Sequence, residues 1–207
     1  MTNVFVKICG ITNLDDALRS VDARADALGF IFHPKSPRFI TPEAAGRIIE
    51  KLPEYTTKVG VFVDSDSREV NRISQEIKLS AVQIHGDVTP SELHQYEVSI
   101  IRALQVHETF DVRVLATLQV EAFLLDAYEE GKHGGTGKTF DWNIARKANP
   151  YGKIILSGGL NPRNVDEAVR FVRPYGVDVS SGVEERPGKK DAKKLKEFIL
   201  RAKSNRS

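Results

Sequence analysis

Lys7-Ile8-Cys9-Gly10-Ile11-Thr12 ends the short β-branched run Val4–Cys9 and turns at a glycine toward a helix start. The run closes on the only cysteine of the chain. Side chains alternate along a strand, so Lys7 shares a face with Cys9. Thiolate character depends on local charge and burial, which makes that lysine part of the sulfur's chemistry. The turn after this strand bears on the fold. An open dinucleotide-type sheet places Gly-x-Gly-x-x-Gly at the first turn, and this turn has a single glycine.

The same pattern recurs outward from this stretch. Apolar runs of strand type occur at Ala27–Phe32, Lys58–Val63, Ala81–His85, Ser99–Leu104, Ala122–Asp126, Lys153–Leu156 and Val177–Ser180, making eight with the first. Between them lie helical stripes such as Leu14, Ala17, Leu18, Val21, then Ala45, Ile48, Ile49, Leu52, and later Val165, Ala168, Val169, Val172. Thr41-Pro42 and Asn161-Pro162 place a capping side chain before a proline, and Thr89-Pro90-Ser91-Glu92 adds a capping-box glutamate. Periodicity is poor in the fifth helix, around Thr109–Leu118, and in the sixth, after Phe140. Strict alternation of strand and helix implies parallel strands with helical crossovers. Polar residues end nearly every strand: Cys9, His33, Asp64, His85, Arg102, Asp126, Ser157 and Ser180. Only a closed sheet brings these ends into one ring, so an α/β single-domain (β/α)₈ barrel over residues 1–207 is expected.

Composition narrows the function classes. Thirty basic and twenty-eight acidic residues leave a formal charge of +2, so the overall balance demands neither nucleic acid nor an anionic membrane as partner. One cysteine permits no intrachain disulfide, and no long apolar stretch begins the chain, so a cytoplasmic protein is expected. Five histidines and one cysteine show no metal-ligand spacing, and no metal is expected. Lys189-Lys190 with Lys193-Lys194 flank Leu195, Phe198, Ile199 and Ala202 and read as the solvated face of the last helix.

Anion chemistry is the most physical signal. Leu156-Ser157-Gly158-Gly159-Leu160-Asn161-Pro162 ends the seventh strand in paired glycines, and Val179-Ser180-Ser181-Gly182 ends the eighth. Glycines let backbone N–H groups approach an anion, and barrels often hold phosphate after strands seven and eight. Either loop alone reads as a tight turn; two in adjacent places favour phosphate. His133-Gly134-Gly135-Thr136-Gly137-Lys138-Thr139 ends like a nucleotide-binding loop but lacks the glycine six positions before its lysine. A cover over the barrel mouth is the better reading.

Proton transfer comes next. Asp126 ends an apolar run across the ring from Cys9, and a carboxyl in an apolar pocket has a raised pKa that suits a general acid. A thiol beside a lysine can accept a proton. Alone, a lone cysteine more often packs and a strand-end aspartate more often caps a helix; together they point to acid–base work. Arg38, in Lys35-Ser36-Pro37-Arg38-Phe39, carries a fork suited to a carboxylate. His85, in Gln83-Ile84-His85-Gly86, either positions a substrate or bonds to a loop, and positioning is the reading favoured.

These motifs resemble the phosphoribosylanthranilate isomerase family. The resemblance rests on Lys7–Thr12, Ser36-Pro37-Arg38, Gln83–Gly86, Leu125-Asp126 with Gly134-Gly135-Thr136-Gly137 and Phe140-Asp141-Trp142, Gly158–Pro162, and Val177-Asp178-Val179-Ser180-Ser181-Gly182-Val183-Glu184. It runs from the N-terminus to the last helix. Ser157 departs from the small residue, often alanine, expected there, outside the proposed chemistry. The resemblance implies a cofactor-free Amadori rearrangement of a small phosphosugar in tryptophan biosynthesis. Outward apolar positions on barrel helices serve core packing or a dimer contact alike, so a monomer or homodimer is expected. Under the resemblance, Asp126 is the general acid and Cys9 the general base. Arg38 holds the anthranilate carboxylate, Gly158, Gly159, Ser181 and Gly182 hold the phosphate, and Asp178 lies near the substrate. Competing readings are a ribulose-phosphate epimerase, which needs strand-end metal ligands, an indole-glycerol-phosphate synthase, which needs catalytic lysines, and a non-catalytic phosphate-binding module.

Overall fold

Eight parallel strands, β1 (Phe5–Cys9), β2 (Ala27–Ile31), β3 (Thr57–Val63), β4 (Ala81–His85), β5 (Ser99–Val106), β6 (Ala122–Ala127), β7 (Ile154–Leu156) and β8 (Gly176–Val179), pair in chain order and close into a barrel. The structure, a computed structural model, describes residues 4–127 and 140–204. Crossover helices α1 (Leu14–Asp22), α2 (Pro42–Ile49), α3 (Ser67–Glu76), α4 (Pro90–Leu93), α5 (Trp142–Ala148), α6 (Val165–Val172) and α7 (Ala192–Ser204) lie outside it. The closed parallel barrel expected from the alternation is the observed architecture.

Partners across a parallel ladder face the same side, so register separates the barrel's interior from its exterior. Lys7 pairs with Ala27 on one side and Asp178 on the other, and Val59 pairs with Ala81. The interior holds a small apolar cluster of Ala27, Val59, Ala81, Ile101, Leu124 and Ile155, with Phe5 against it. The alternate residues, among them Ile8, Phe30, Val82 and Phe123, point outward into the larger core beneath the helices. That core takes the predicted stripes of α2 and α6 whole, whereas Leu18 of α1 stays 38% exposed. Each fully buried side chain of this size contributes about 1.5–3 kcal/mol.

Local chemistry sets the helix starts. Thr41 accepts from Ala44 N, and Thr89 with Glu92 forms the predicted capping box, although α4 lasts one turn. The fifth crossover, where periodicity was weak, is a 3₁₀ helix at Val112–Thr117. α6 begins at Val165, later than Asn161-Pro162 suggests, because Asn161 folds a turn of its own by accepting from Arg163 N. The basic pair Lys189-Lys190 is not on the last helix. It forms β10 (Lys189–Lys190), which pairs antiparallel with β9 (Glu184–Arg186), and Lys190 is 2% exposed. The glycine-rich segment expected as a cover over the mouth lies outside the described residues. Among the described residues, no helix is long and apolar enough to cross a membrane.

Candidate active site

The C-terminal ends of the strands surround a cavity of about 570 Å³. Of the predicted ring, Cys9, His33, His85, Asp126, Ser157 and Ser180 line it, and Arg38, Asp178 and both glycine-rich loops join them. Arg102 does not. β5 runs on to Val106, so Arg102 sits mid-strand in register with outward-facing Phe123, where it donates to the carbonyls of Ile84, Ala103 and Gly86. Asp64 likewise stays outside the cavity lining, just beyond β3 in a left-handed conformation (φ 50°).

The base of the cavity holds charges that the barrel buries. Lys7 is fully buried, and its Nζ donates to Asp178 Oδ1 at 2.8 Å. Burial opposes the ammonium most strongly, but the Asp178 carboxylate and Cys9 together outweigh it and raise the Lys7 pKa. Lys7 Nζ and Cys9 Sγ both crowd over Gly29, where an added Cβ would lie 3.1 Å and 2.8 Å from them. Glycine at that register position is what admits the two groups. Burial pushes the Cys9 thiol above its ordinary value, against the pull of the Lys7 charge. The expected depression of the thiol by Lys7 is therefore present but outweighed.

Across the barrel, Asp126 at the end of β6 is 6% exposed. Burial, followed by the nearby Asp178 charge, pushes its carboxyl up to about 6. The Ala127 N–H donates to its Oδ1 at 3.0 Å and works in the other direction. Ser157, expected from the sequence to be chemically neutral, donates to Asp178 Oδ2 at 3.3 Å and favours the ionised form of Asp126. It belongs to the site after all. His85 Nε2 meets Gln83 Nε2 at 2.7 Å, both side chains facing the cavity.

Beside this pair lie the two loops read as an anion site. Among the described residues, the amides of Gly158 and Gly159 donate to no backbone acceptor, and Ser181 and Gly182 line the cavity beside them. Gly158 and Gly159 take φ of 82° and 64°, which side chains rarely adopt. A Cβ on Gly182 would strike Leu160 O at 1.9 Å, so glycine is what lets the two loops interlock. Arg38 also lines the cavity. Its Nε and Nη2 grip Glu184 at 2.8–3.1 Å, and among the described residues Nη1 has no hydrogen-bond acceptor.

A thiol, a perturbed carboxyl, two glycine-rich loops and an arginine fork line one cavity, a set suited to proton transfer on a phosphorylated substrate. Comparison with known proteins agrees. Residues 6–201 match the family described as N-(5'phosphoribosyl)anthranilate (PRA) isomerase. The chain belongs to the phosphoribosylanthranilate isomerase family. It is an isomerase of tryptophan biosynthesis. It is 51% identical to the N-(5'-phosphoribosyl)anthranilate isomerase of Trichlorobacter lovleyi, over 96% of this chain and 97% of that one. The crystal structure of phosphoribosyl anthranilate isomerase from Thermotoga maritima superposes with a TM-score of 0.90 at 44% identity, covering 97% and 99% of the two chains. Another isomerase structure, at 42% identity and a TM-score of 0.86 over 97% and 99%, is a complex with reduced 1-(o-carboxyphenylamino)-1-deoxyribulose 5-phosphate.

Two buried residues of this isomerase are not apparent from the sequence. Glu184 stands there only as the end of a motif, and Lys190 as one charge in a basic run. A signal existed for Lys190: Asp191 starts the helix by accepting from the amides of Lys193 and Lys194, which leaves Lys190 outside it.

Proposed function

We propose that this chain converts N-(5'-phosphoribosyl)anthranilate to the ketose 1-(2-carboxyphenylamino)-1-deoxyribulose 5-phosphate, with Asp126 as general acid and Cys9 as general base. The observation that carries this reading is the carboxyl at about 6, held in the same cavity as a lone thiol and next to the phosphate loops. A general acid works best with a pKa near the operating pH.

Asp126 protonates the furanose ring oxygen as the C1–O bond breaks, and the anthranilate nitrogen lone pair forms the C1=N bond. The product is an open-chain iminium. Cys9 then takes the proton from C2; the C–H electrons form C1=C2 as the C1=N π pair returns to nitrogen, giving an enolamine, which tautomerises to the ketone. Protons move and the substrate is redistributed internally, so the route calls for no cofactor. Burial raises the thiol pKa, so Cys9 first releases its own proton to solvent and takes up the C2 proton as the thiolate. The iminium supplies a positive charge beside the sulfur at the step that needs a thiolate, since an opposite charge favours the ionised form. Lys7 adds to that field and is itself held by Asp178.

The remaining residues bind. The amides of Gly158, Gly159, Ser181 and Gly182 receive the phosphate, Arg38 Nη1 the aryl carboxylate, and His85 and Asp178 position the sugar between them. All of these come from one chain, so the scheme suits a monomer or a homodimer. A small phosphorylated intermediate stays in the cytoplasm, where we place the reaction. The test generates phosphoribosylanthranilate in situ and follows the loss of its fluorescence. Cys9→Ala and Asp126→Asn should each lower turnover by roughly 10²–10⁴ with the fold intact by circular dichroism. Wild-type turnover in either variant removes that residue from the scheme.

A further inference from the structure

Arg38 is held by a buried ion-pair chain that the acid–base scheme does not use. Glu184, 7% exposed, accepts from Arg38 Nε at 2.9 and 3.1 Å and from Nη2 at 2.8 Å. Lys190, 2% exposed, gives all three of its Nζ protons to acceptors: Glu184 Oε1 at 2.9 Å, Cys9 O at 2.6 Å and Ser180 O at 3.2 Å. Its backbone N–H donates to Asp16 Oδ2 of α1 at 2.8 Å. The β9–β10 hairpin thus ties the loop after β2 to the ends of β1 and β8.

We propose that Glu184 and Lys190 are positioning residues that set the Arg38 guanidinium for the substrate's aryl carboxylate. The inference rests on the reading of Arg38 as the carboxylate anchor and deepens it. Three observations support it. Burying an ammonium and a carboxylate gives a fold little that a packed apolar pair would not, so the pair's use lies in what it grips. What it grips is a guanidinium in the cavity wall with, among the described residues, one amino group left over. An unrestrained arginine also surrenders its rotamer freedom on binding, whereas one held by two fork bonds does not.

The path of Arg38 agrees. Its stem crosses Gly10, where an added Cβ would come within 2.6 Å of Arg38 Cδ and 3.0 Å of Ser180 Oγ. Gly10 adopts φ 77°, so both the conformation and the space require glycine. Lys190 holds the carbonyls of Cys9 and Ser180 on either side of that crossing. The carboxylate reader, the thiol and the loop that begins with Ser181 are therefore fixed to one another.

The test compares two competitive inhibitors: reduced 1-(2-carboxyphenylamino)-1-deoxyribulose 5-phosphate and its anilino analogue without the carboxylate. Glu184→Gln removes the second acceptor and the charge that hold the fork. The carboxylate-bearing inhibitor should weaken about 10-fold or more in this variant, the anilino analogue far less, and substrate KM should rise more than kcat falls. Glu184→Gln/Lys190→Met removes one charge of each sign, so the net charge of the cluster is unchanged, and gives the same selective loss, which keeps the test open if a single variant unfolds. In an Arg38→Ala background Glu184→Gln should cost nothing further, because residues acting through one contact are not additive.

Equal weakening of both inhibitors, or a full further loss in the Arg38→Ala background, overturns the proposal by making the pair a structural brace. If Arg38→Ala keeps the wild-type preference for the carboxylate, the anchor reading itself fails, and the proposal with it. If Arg38→Ala loses the preference while Glu184→Gln and the paired variant keep it, the anchor stands and only the positioning role falls.

Discussion

The two ends of the barrel interior are built on opposite terms. Toward the N-terminal end, Ala27, Val59, Ala81, Ile101 and Ile155 fill the space with small and branched apolar groups. Toward the C-terminal end, inward positions further along the strands carry Lys7, Cys9, Gln83, Asp126 and Asp178, all nearly or fully buried. The floor gains from leaving water. The mouth loses, because buried charges are costly unless paired and their pKa values shift. Leu124 marks the boundary, since it belongs to the apolar cluster and also lines the cavity. One lattice of strands thus separates the residues that hold the barrel from those that work in it.

Opposite outcomes for mouth and floor variants are the way to break this comparison. The largest effect is on rate: Asp126→Asn should cost roughly 10²–10⁴ in turnover while leaving the fold at least as stable as wild type. Ile155→Ala should do the reverse. Ile155 is 1% exposed, and removing such a side chain costs about 2–5 kcal/mol. Urea unfolding would show that loss, with kcat retained at temperatures where the variant is folded. A floor variant that lost turnover while still folded would erase the distinction.

The next effect comes from the Asp126 carboxyl at about 6, above the ordinary value of 3.8. A raised folded-state pKa means the protonated form is the stabilising one. That stabilisation is complete below the ordinary value and is lost as pH rises through 6. At about 1.4 kcal/mol per unit the loss amounts to about 3 kcal/mol. Asn cannot ionise and keeps an acceptor for Ala127 N–H. Asp126→Asn should therefore match wild type below about pH 4 and exceed it by up to about 3 kcal/mol above about pH 6. Thermal unfolding of both proteins from about pH 4 to 8 reads this directly, and parallel curves would mean that the carboxyl carries no such penalty.

How much of this was legible in the chain differs between the two ends. The floor is set by period and register: alternation in each strand assigns its inward face, and eight strand–helix units leave few ways to close. Cys9, Asp126 and the two glycine-rich loops were legible for the same reason, since each sits at a strand end. What escaped was pairing over long separations. Lys7 and Asp178 are 171 residues apart and meet only because β8 closes onto β1. Lys190 and Cys9 are 181 apart and meet through a two-residue strand with no periodicity of its own. Arg102 was misplaced by the opposite error: its strand runs two residues longer than the apolar run, which turned an apparent end into a mid-strand, outward-facing position.

The smallest effect tests the charge balance at the mouth. Lys7 lowers the Cys9 thiol pKa and Asp178 raises it, with Lys7 the stronger of the two. Lys7→Met alone leaves Asp178 buried without its cation, so the thiol should move up sharply and the protein should lose stability. Lys7→Met/Asp178→Asn removes both influences and spares the fold an unpaired charge. Because the two act in opposite directions, the thiol of the double variant should move up by less than that of the single variant. The pH dependence of Cys9 alkylation reads both shifts. An unchanged midpoint in Lys7→Met would show that the ammonium does not act on the sulfur. A double variant shifted as far as the single would show that Asp178 reaches the thiol only as the anchor of Lys7. The intermediate position is the one that makes Lys7, Asp178 and Cys9 a single electrostatic unit, set by the register of β8 on β1.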